Sequence, residues 1–192
     1  MKRRSLLLLL PACLTPRGGA YAADEHSQLD FRDTVWAEAA RRAGVEDPLL
    51  VYAIALFESG LSDGRGRMAP YPWTLGYAGR DVRARSRDEA ERQLAGIATS
   101  MNVDIGLMQV NWAAHHHRVT RAADLLDPTT NVLVGGQILG HALRSAPQDF
   151  LMGLGRYHSW TPWRARWYGT AVWQLYLRLV GVASLRRRER LT

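Results

Sequence analysis

The chain has 192 residues, 47% of them hydrophobic and 22% charged, which excludes a disordered polyelectrolyte and fits one folded domain with its own core. Its net charge of +7 invites a nucleic-acid partner, but four of the 25 basic residues (Lys2, Arg3, Arg4, Arg17) fall within residues 1–22, and the remaining 21 against 18 acidic ones do not carry that reading. A single cysteine, Cys13, excludes an internal disulfide framework.

Residues 1–22 have the layout of an export signal. Lys2-Arg3-Arg4 precede a short apolar block, and Ala20-Tyr21-Ala22 offers a small-x-small cleavage site. The block is too short to span a bilayer. Leu10-Pro11-Ala12-Cys13 gives a second reading, a lipoprotein signal anchored through Cys13, which its proline disfavours. The expected location is therefore the periplasm, with residues 23–192 forming one mature domain.

A first helix is predicted over residues 29–43, with Phe31, Val35, Trp36, Ala39 and Ala40 on one stripe and Gly44 past its end. The second is the central element. Asp47-Pro48 opens it as cap and first-turn proline, eight apolar residues run unbroken from Leu50 to Phe57, and Glu58-Ser59-Gly60 closes it. A helix apolar on every side is buried. Glu58 thus stands at the C-terminal end of a buried helix, where desolvation and the negative helix pole both oppose its charge. A carboxylic acid still protonated near neutral pH is what general-acid chemistry requires.

Residues 61–85 break the helical pattern with Gly64, Gly66, Pro70, Pro72, Gly76 and Gly79, interleaved with Tyr71, Trp73 and Tyr77. We expect a long irregular loop that lines a groove, with Tyr71 and Trp73 on its wall. Ser86 and Glu89 have capping-box spacing for a helix to about residue 99. Residues 102–112 read as a turn or short hairpin beside the buried helix. His115-His116-His117 lack metal-ligand spacing and read as a polar surface cluster, so no metal site is expected. Asp127-Pro128 opens a further helix that ends before Pro147, and Gly135-Gly136 within it implies a close helix crossing. A short helix over residues 149–156 leads into Tyr157-His158-Ser159. A last helix runs from Thr161-Pro162 to about residue 180, with Trp163, Trp167, Val172, Leu175, Tyr176 and Leu179 as its apolar face, before an Arg-rich tail.

Three segments resemble the soluble lytic transglycosylases in order and rough spacing: Ala55-Leu56-Phe57-Glu58-Ser59-Gly60, Gly106-Leu107-Met108-Gln109-Val110-Asn111 and Gly155-Arg156-Tyr157-His158-Ser159. The resemblance covers about residues 30–180. Pro72-Trp73-Thr74-Leu75 looks like the branch of that family found with conjugation, type IV secretion or pilus systems. The third motif departs from the family's usual Tyr-Asn-Ala-Gly, since His158-Ser159 follow Tyr157.

The resemblance implies a mainly α, goose-type-lysozyme-like domain around a substrate cleft, with a long irregular loop and at most a short β-hairpin. It implies cleavage of the β-1,4 bond between N-acetylmuramic acid and N-acetylglucosamine in peptidoglycan, giving a 1,6-anhydro product without a cofactor. Glu58 would be the catalytic acid and base. Ser59 and Gln109 would bind sugar, Met108 would form an apolar wall or pack in the core, and Tyr157 would place its hydroxyl near Glu58. Asn111 and His158 are further groove candidates. Two alternatives compete. A hydrolytic muramidase needs a second carboxylate, for which Asp63 and Asp104 are placed. A non-catalytic wall-binding subunit of a transfer or secretion apparatus would keep only the groove.

Overall fold

The computed structural model describes residues 31, 33–97 and 102–189, with side chains to residue 184. The export-signal and Cys13 readings lie outside the described residues, and the helix predicted to about residue 99 ends at Gly96, where Ile97 turns extended.

The molecule is mainly helical, with seven α-helices and six short strands among the described residues. Helix α1 (Val35–Ala43) starts later than its apolar stripe predicts, because Thr34 is extended and caps it, accepting from the Ala37 amide at 3.4 Å. Gly44, at φ 73°, ends it as expected. Helix α2 (Pro48–Ser59) follows the sequence reading closely. Asp47 Oδ1 accepts from the Leu49 amide at 2.9 Å, and every residue from Leu49 to Leu56 is buried.

Gly60 serves a different purpose from the left-handed cap that the sequence implies. Its φ of −52° and ψ of 126° carry the chain straight from α2 into a strand. Glycine is needed there for space, since a Cβ would meet the Leu56 carbonyl oxygen at 2.4 Å.

The predicted irregular loop is mostly sheet, which corrects both the loop and the limit of one short hairpin. β1 (Gly60–Ser62) pairs antiparallel with β2 (Met68–Pro70), and β3 (Thr74–Tyr77) with β4 (Arg80–Arg83). The predicted hairpin over residues 102–112 is present as β5 (Val103–Ile105) and β6 (Val110–Asn111), and it joins the second sheet in the order β4-β3-β5-β6. Gly64, Gly66 and Gly79 sit in the turns at positive φ, so these glycines mark hairpin tips. Strands of three or four residues are too short to show a period-2 pattern.

Helix α3 (Arg87–Gly96) is capped by Ser86, whose hydroxyl accepts from the Glu89 amide at 3.2 Å. Glu89 reaches back to the Arg85 amide, one residue before the position a full capping box uses. The short α4 (Trp112–His115) and two 3₁₀ turns lead to α5 (Pro128–Arg144), α6 (Phe150–Gly155) and α7 (Pro162–Glu189). The crossing implied by Gly135-Gly136 is real: a Cβ on Gly136 would meet the Ala39 carbonyl oxygen of α1 at 2.7 Å. Helices α6 and α7 approach still more closely, since a Cβ on Gly155 would stand 1.7 Å from the Ala165 carbonyl oxygen.

Helix α7 is longer than predicted; Val172, Leu175 and Leu179 are buried as expected, but its first two turns bury different residues. Ala165, Tyr168, Val172, Leu175 and Leu179 point inward at helical spacing, while Trp163 and Trp167 are 68% and 61% exposed. One continuous core then runs from α1 through α2 to α7, with Leu75, Ile105, Leu107 and Met108 of the sheet side packed into it.

Candidate active site

Glu58 lies in the last turn of α2, half-buried, on the wall of a cleft of about 770 Å³. The cleft runs between the four-stranded sheet and the helices α5 to α7. Burial is the largest influence on the Glu58 carboxyl and pushes its pKa up to about 7. A hydrogen bond from the Tyr168 hydroxyl to Oε1 works in the opposite direction, and the charges of Asp104 and Asp81 add to the rise. The group therefore keeps its proton near neutrality while one face opens to the cleft.

Tyr168, which sequence reasoning missed, is the tyrosine on Glu58. Tyr157, expected in that role, donates its hydroxyl to the Met108 carbonyl at 2.7 Å instead. The two rings lie nearly parallel, 6.4 Å apart, and the His158 imidazole stacks on Tyr168 at 4.8 Å with a 6° tilt. Tyr157 and His158 thus line the cleft and cover the buried Tyr168 ring. Burial holds both tyrosine hydroxyls well above their ordinary range, so each stays a neutral donor. The signal available in the sequence was position. Tyr168 falls on the stripe with Ala165, Val172 and Leu175, and a tyrosine on a buried face needs a polar partner.

The sheet sets a polar row across the cleft floor. Gly76 of β3 is directly opposite Asp81 of β4 and Asp104 of β5, and Asp104 is opposite Asn111 of β6. Directly paired residues project to the same face, so the row Asp81–Gly76–Asp104–Asn111 lines the cleft together with Glu58. Gly76 is needed for close approach, because a Cβ there would meet Gln109 Oε1 at 2.8 Å. Burial raises the Asp104 pKa. The Asn111 side-chain amide, donating to Asp104 Oδ1 at 2.8 Å, and the His158 charge oppose that rise. Asn111 also caps α4, accepting from the Ala114 amide at 3.0 Å, so it is both turn residue and cleft residue.

Gln109 is in the cleft wall at φ 45°. Its Nε2 donates to the Gly106 carbonyl at 2.8 Å and the Thr74 carbonyl at 3.1 Å. Oε1 has no hydrogen-bond partner among the described residues and remains an acceptor for a ligand. Buried Asn131 of α5, another residue missed, fixes this loop. It accepts from the Met108 amide at 2.8 Å and donates to the Ile105 and Leu125 carbonyls at 2.7 and 2.9 Å.

Several expected groove residues are elsewhere. Ser59 is fully buried and does not line the cleft. Its hydroxyl lies 2.7 Å from the Leu107 carbonyl and 3.1 Å from that of Ala55, and accepts from the Tyr71 amide at 3.1 Å. Met108 is core, seated against Gly135 of α5. Tyr71 and Trp73 meet edge-on at 5.8 Å, away from the cleft, with the Tyr71 hydroxyl donating to the Ala84 carbonyl at 2.7 Å. Trp73 packs against the core and Tyr71 packs on Trp73. Asp63 belongs to the β1–β2 turn. Its bond from Arg67 at 2.7 Å holds the carboxyl below its usual range, and it takes no part in the cleft.

The histidine run is not only surface. His115 and His117 line the cleft opposite the acidic row, and burial lowers the His115 pKa to about 4. Among the described residues no group of three or more His, Cys, Asp or Glu side chains is placed to hold a metal. Comparison with known proteins returns no match to a family model, to a curated protein or to a solved structure.

Proposed function

We propose that this protein is an exported lytic transglycosylase with a goose-type-lysozyme-like fold. It cleaves the β-1,4 bond between N-acetylmuramic acid and N-acetylglucosamine in peptidoglycan and forms a 1,6-anhydro end. The observation that carries the reading is the Glu58 carboxyl, protonated up to about pH 7 by burial and open to a polar cleft. In the forward step it donates its proton to the leaving glycosidic oxygen. The Tyr168 hydroxyl steadies the carboxylate so formed. That carboxylate then takes the proton of the muramic acid O6 hydroxyl as the oxygen closes on the anomeric carbon. A nucleophile within the same sugar has a high effective concentration, so water need not be positioned. Gln109 Oε1 is an acceptor for a sugar hydroxyl or an acetamido N–H.

The motif order supports the same conclusion, and Pro72-Trp73-Thr74-Leu75 has a definite place in it. Thr74 is buried at the start of β3, and its carbonyl receives the Gln109 side chain and the Gly106 amide. The segment looks like that of enzymes serving conjugation or secretion machines, and we assign this protein the corresponding task of opening the wall locally, in the periplasm.

A second reading, hydrolysis, draws on Asp104, whose carboxyl lines the same cleft and whose charge acts on Glu58. An inverting hydrolase uses such a carboxylate to activate water. Clearing of a cell-wall suspension by the wild type and by Glu58→Gln tests the enzyme readings together. Clearing by the wild type alone is expected, and equal clearing by the variant would remove Glu58 from the chemistry.

A further inference from the structure

The cleft is bipolar. Asp81, Asp104 and Glu58 occupy the sheet side, while Arg118, Arg156 and Arg164 line the helical side with His117 and His141. Eight other arginines stand within 4.0 Å of a carboxylate, and Arg65, Arg80, Arg92, Arg144 and Arg178, outside the cleft, are exposed to solvent without one among the described residues. The three in the cleft have no such partner among the described residues. Arg118 donates from one terminal nitrogen to Gln137 Oε1 at 3.3 Å, and its Nε is buried with no hydrogen-bond partner. Arg156 is held by Ser145 and lies over the Trp160 ring, 5.1 Å from its centroid. Arg164 lies over Trp163 at 5.2 Å.

A buried guanidinium N–H without an acceptor is unfavourable unless a ligand completes it. Carboxylates match the planar guanidinium fork, and Arg118 is half-buried and Arg164 exposed, so both can be reached from the cleft. We propose that the helical side of the cleft is a carboxylate subsite, in which Arg118 and Arg164 bind an acidic substituent carried by the sugar chain while Arg156 and Trp160 form its wall. The acids on the opposite side disfavour a continuous polyanion, so the charge read is local. Two sources offer that chemistry in peptidoglycan: the carboxylates of the stem peptide, and the lactyl carboxylate exposed where the peptide has been removed. This inference rests on the peptidoglycan reading for its ligand, and not on the catalytic step.

Binding to full-length Glu58→Gln protein separates the two claims, since it needs no turnover. The ligands are a muramic-acid disaccharide with a peptide bearing free carboxylates, the same compound with those carboxylates amidated, the peptide-free disaccharide with its lactyl carboxylate, and a neutral chitooligosaccharide. At least one acidic ligand should bind about tenfold or more tightly than the amidated and neutral ones. Whichever does so identifies the source. Adding Arg118→Gln and Arg164→Gln should bring that ratio towards one, and salt should weaken the acidic ligand selectively in the protein without the arginine changes. Equal affinity for all four ligands, a preference untouched by both arginine changes, or tighter binding of a short single-stranded DNA would overturn the subsite. Wall cleavage without carboxylate preference leaves the enzyme standing and removes this inference. Carboxylate preference without wall cleavage does the reverse.

Discussion

The Tyr168 hydroxyl donates to Glu58 Oε1 and so ties the second turn of the last long helix to the end of the buried central one. The bond favours the ionised carboxylate and opposes the rise in pKa that burial produces. Tyr168→Phe should therefore move the alkaline limb of the pH–rate profile upward by about one unit. Turnover should also fall, because the carboxylate of the second half-step loses its support. Tyr157→Phe should move that limb much less, since its hydroxyl serves the Met108 carbonyl. A pH–rate series on both variants decides between the two tyrosines.

Glu58 also leaves a signature in stability. Its folded pKa of about 7 lies above the model-compound value of 4.5, so the folded state binds the extra proton between these limits. Below about pH 4.5 the group is neutral in both states and has no linkage effect. As pH rises through the interval, the unfolded chain ionises first and the fold loses stability, by up to roughly 3 kcal/mol once pH passes 7. Glu58→Gln removes this titration. Its Tm advantage over the wild type should grow between pH 4.5 and 7 and stay level above, as thermal unfolding at a series of pH values will show.

Asp104 separates the two chemistries. Under the transglycosylase reading its charge only modulates Glu58, so Asp104→Asn should lower the Glu58 pKa and change kcat less than about tenfold. A hydrolase that needs it as base would lose about a hundredfold or more. Initial rates on purified wall material at fixed pH distinguish these outcomes.

Asn131 is the buried clamp on the loop that presents Gln109. Asn131→Ala leaves the Met108 amide and the Ile105 and Leu125 carbonyls without their partner. A loss of roughly 3 kcal/mol follows, near 10 °C in Tm for a domain of this size. A conservative surface control such as Arg85→Lys should leave Tm within about a degree.

What the sequence showed, it showed through local chemistry. The Asp47-Pro48 and Asp127-Pro128 starts, the all-apolar run ahead of Glu58 and the Gly135-Gly136 crossing each depend on neighbours within a turn or two of helix. The hairpins of residues 60–83 were hidden because their strands are too brief for a pattern, and their glycines look the same in a turn as in a loop. The acidic row of Asp81 and Asp104 depends on both strands pairing with Gly76, and Asp104 is far from Gly76 along the chain. Tyr168 was obscured by Trp163 and Trp167, whose hydrophobicity drew the predicted face of the helix towards solvent. Ser59 was misplaced for a related reason: being next to a site residue along the chain does not put a side chain into the cleft.

The most direct test of the central claim is the mass of the products released from purified peptidoglycan. Intramolecular closure by O6 leaves each new muramic acid end lighter by one water than a reducing end. The wild type should release 1,6-anhydro ends and Glu58→Gln none. Reducing ends from the wild type, with Glu58 still required, would make the enzyme a hydrolase and contradict the mechanism given for it.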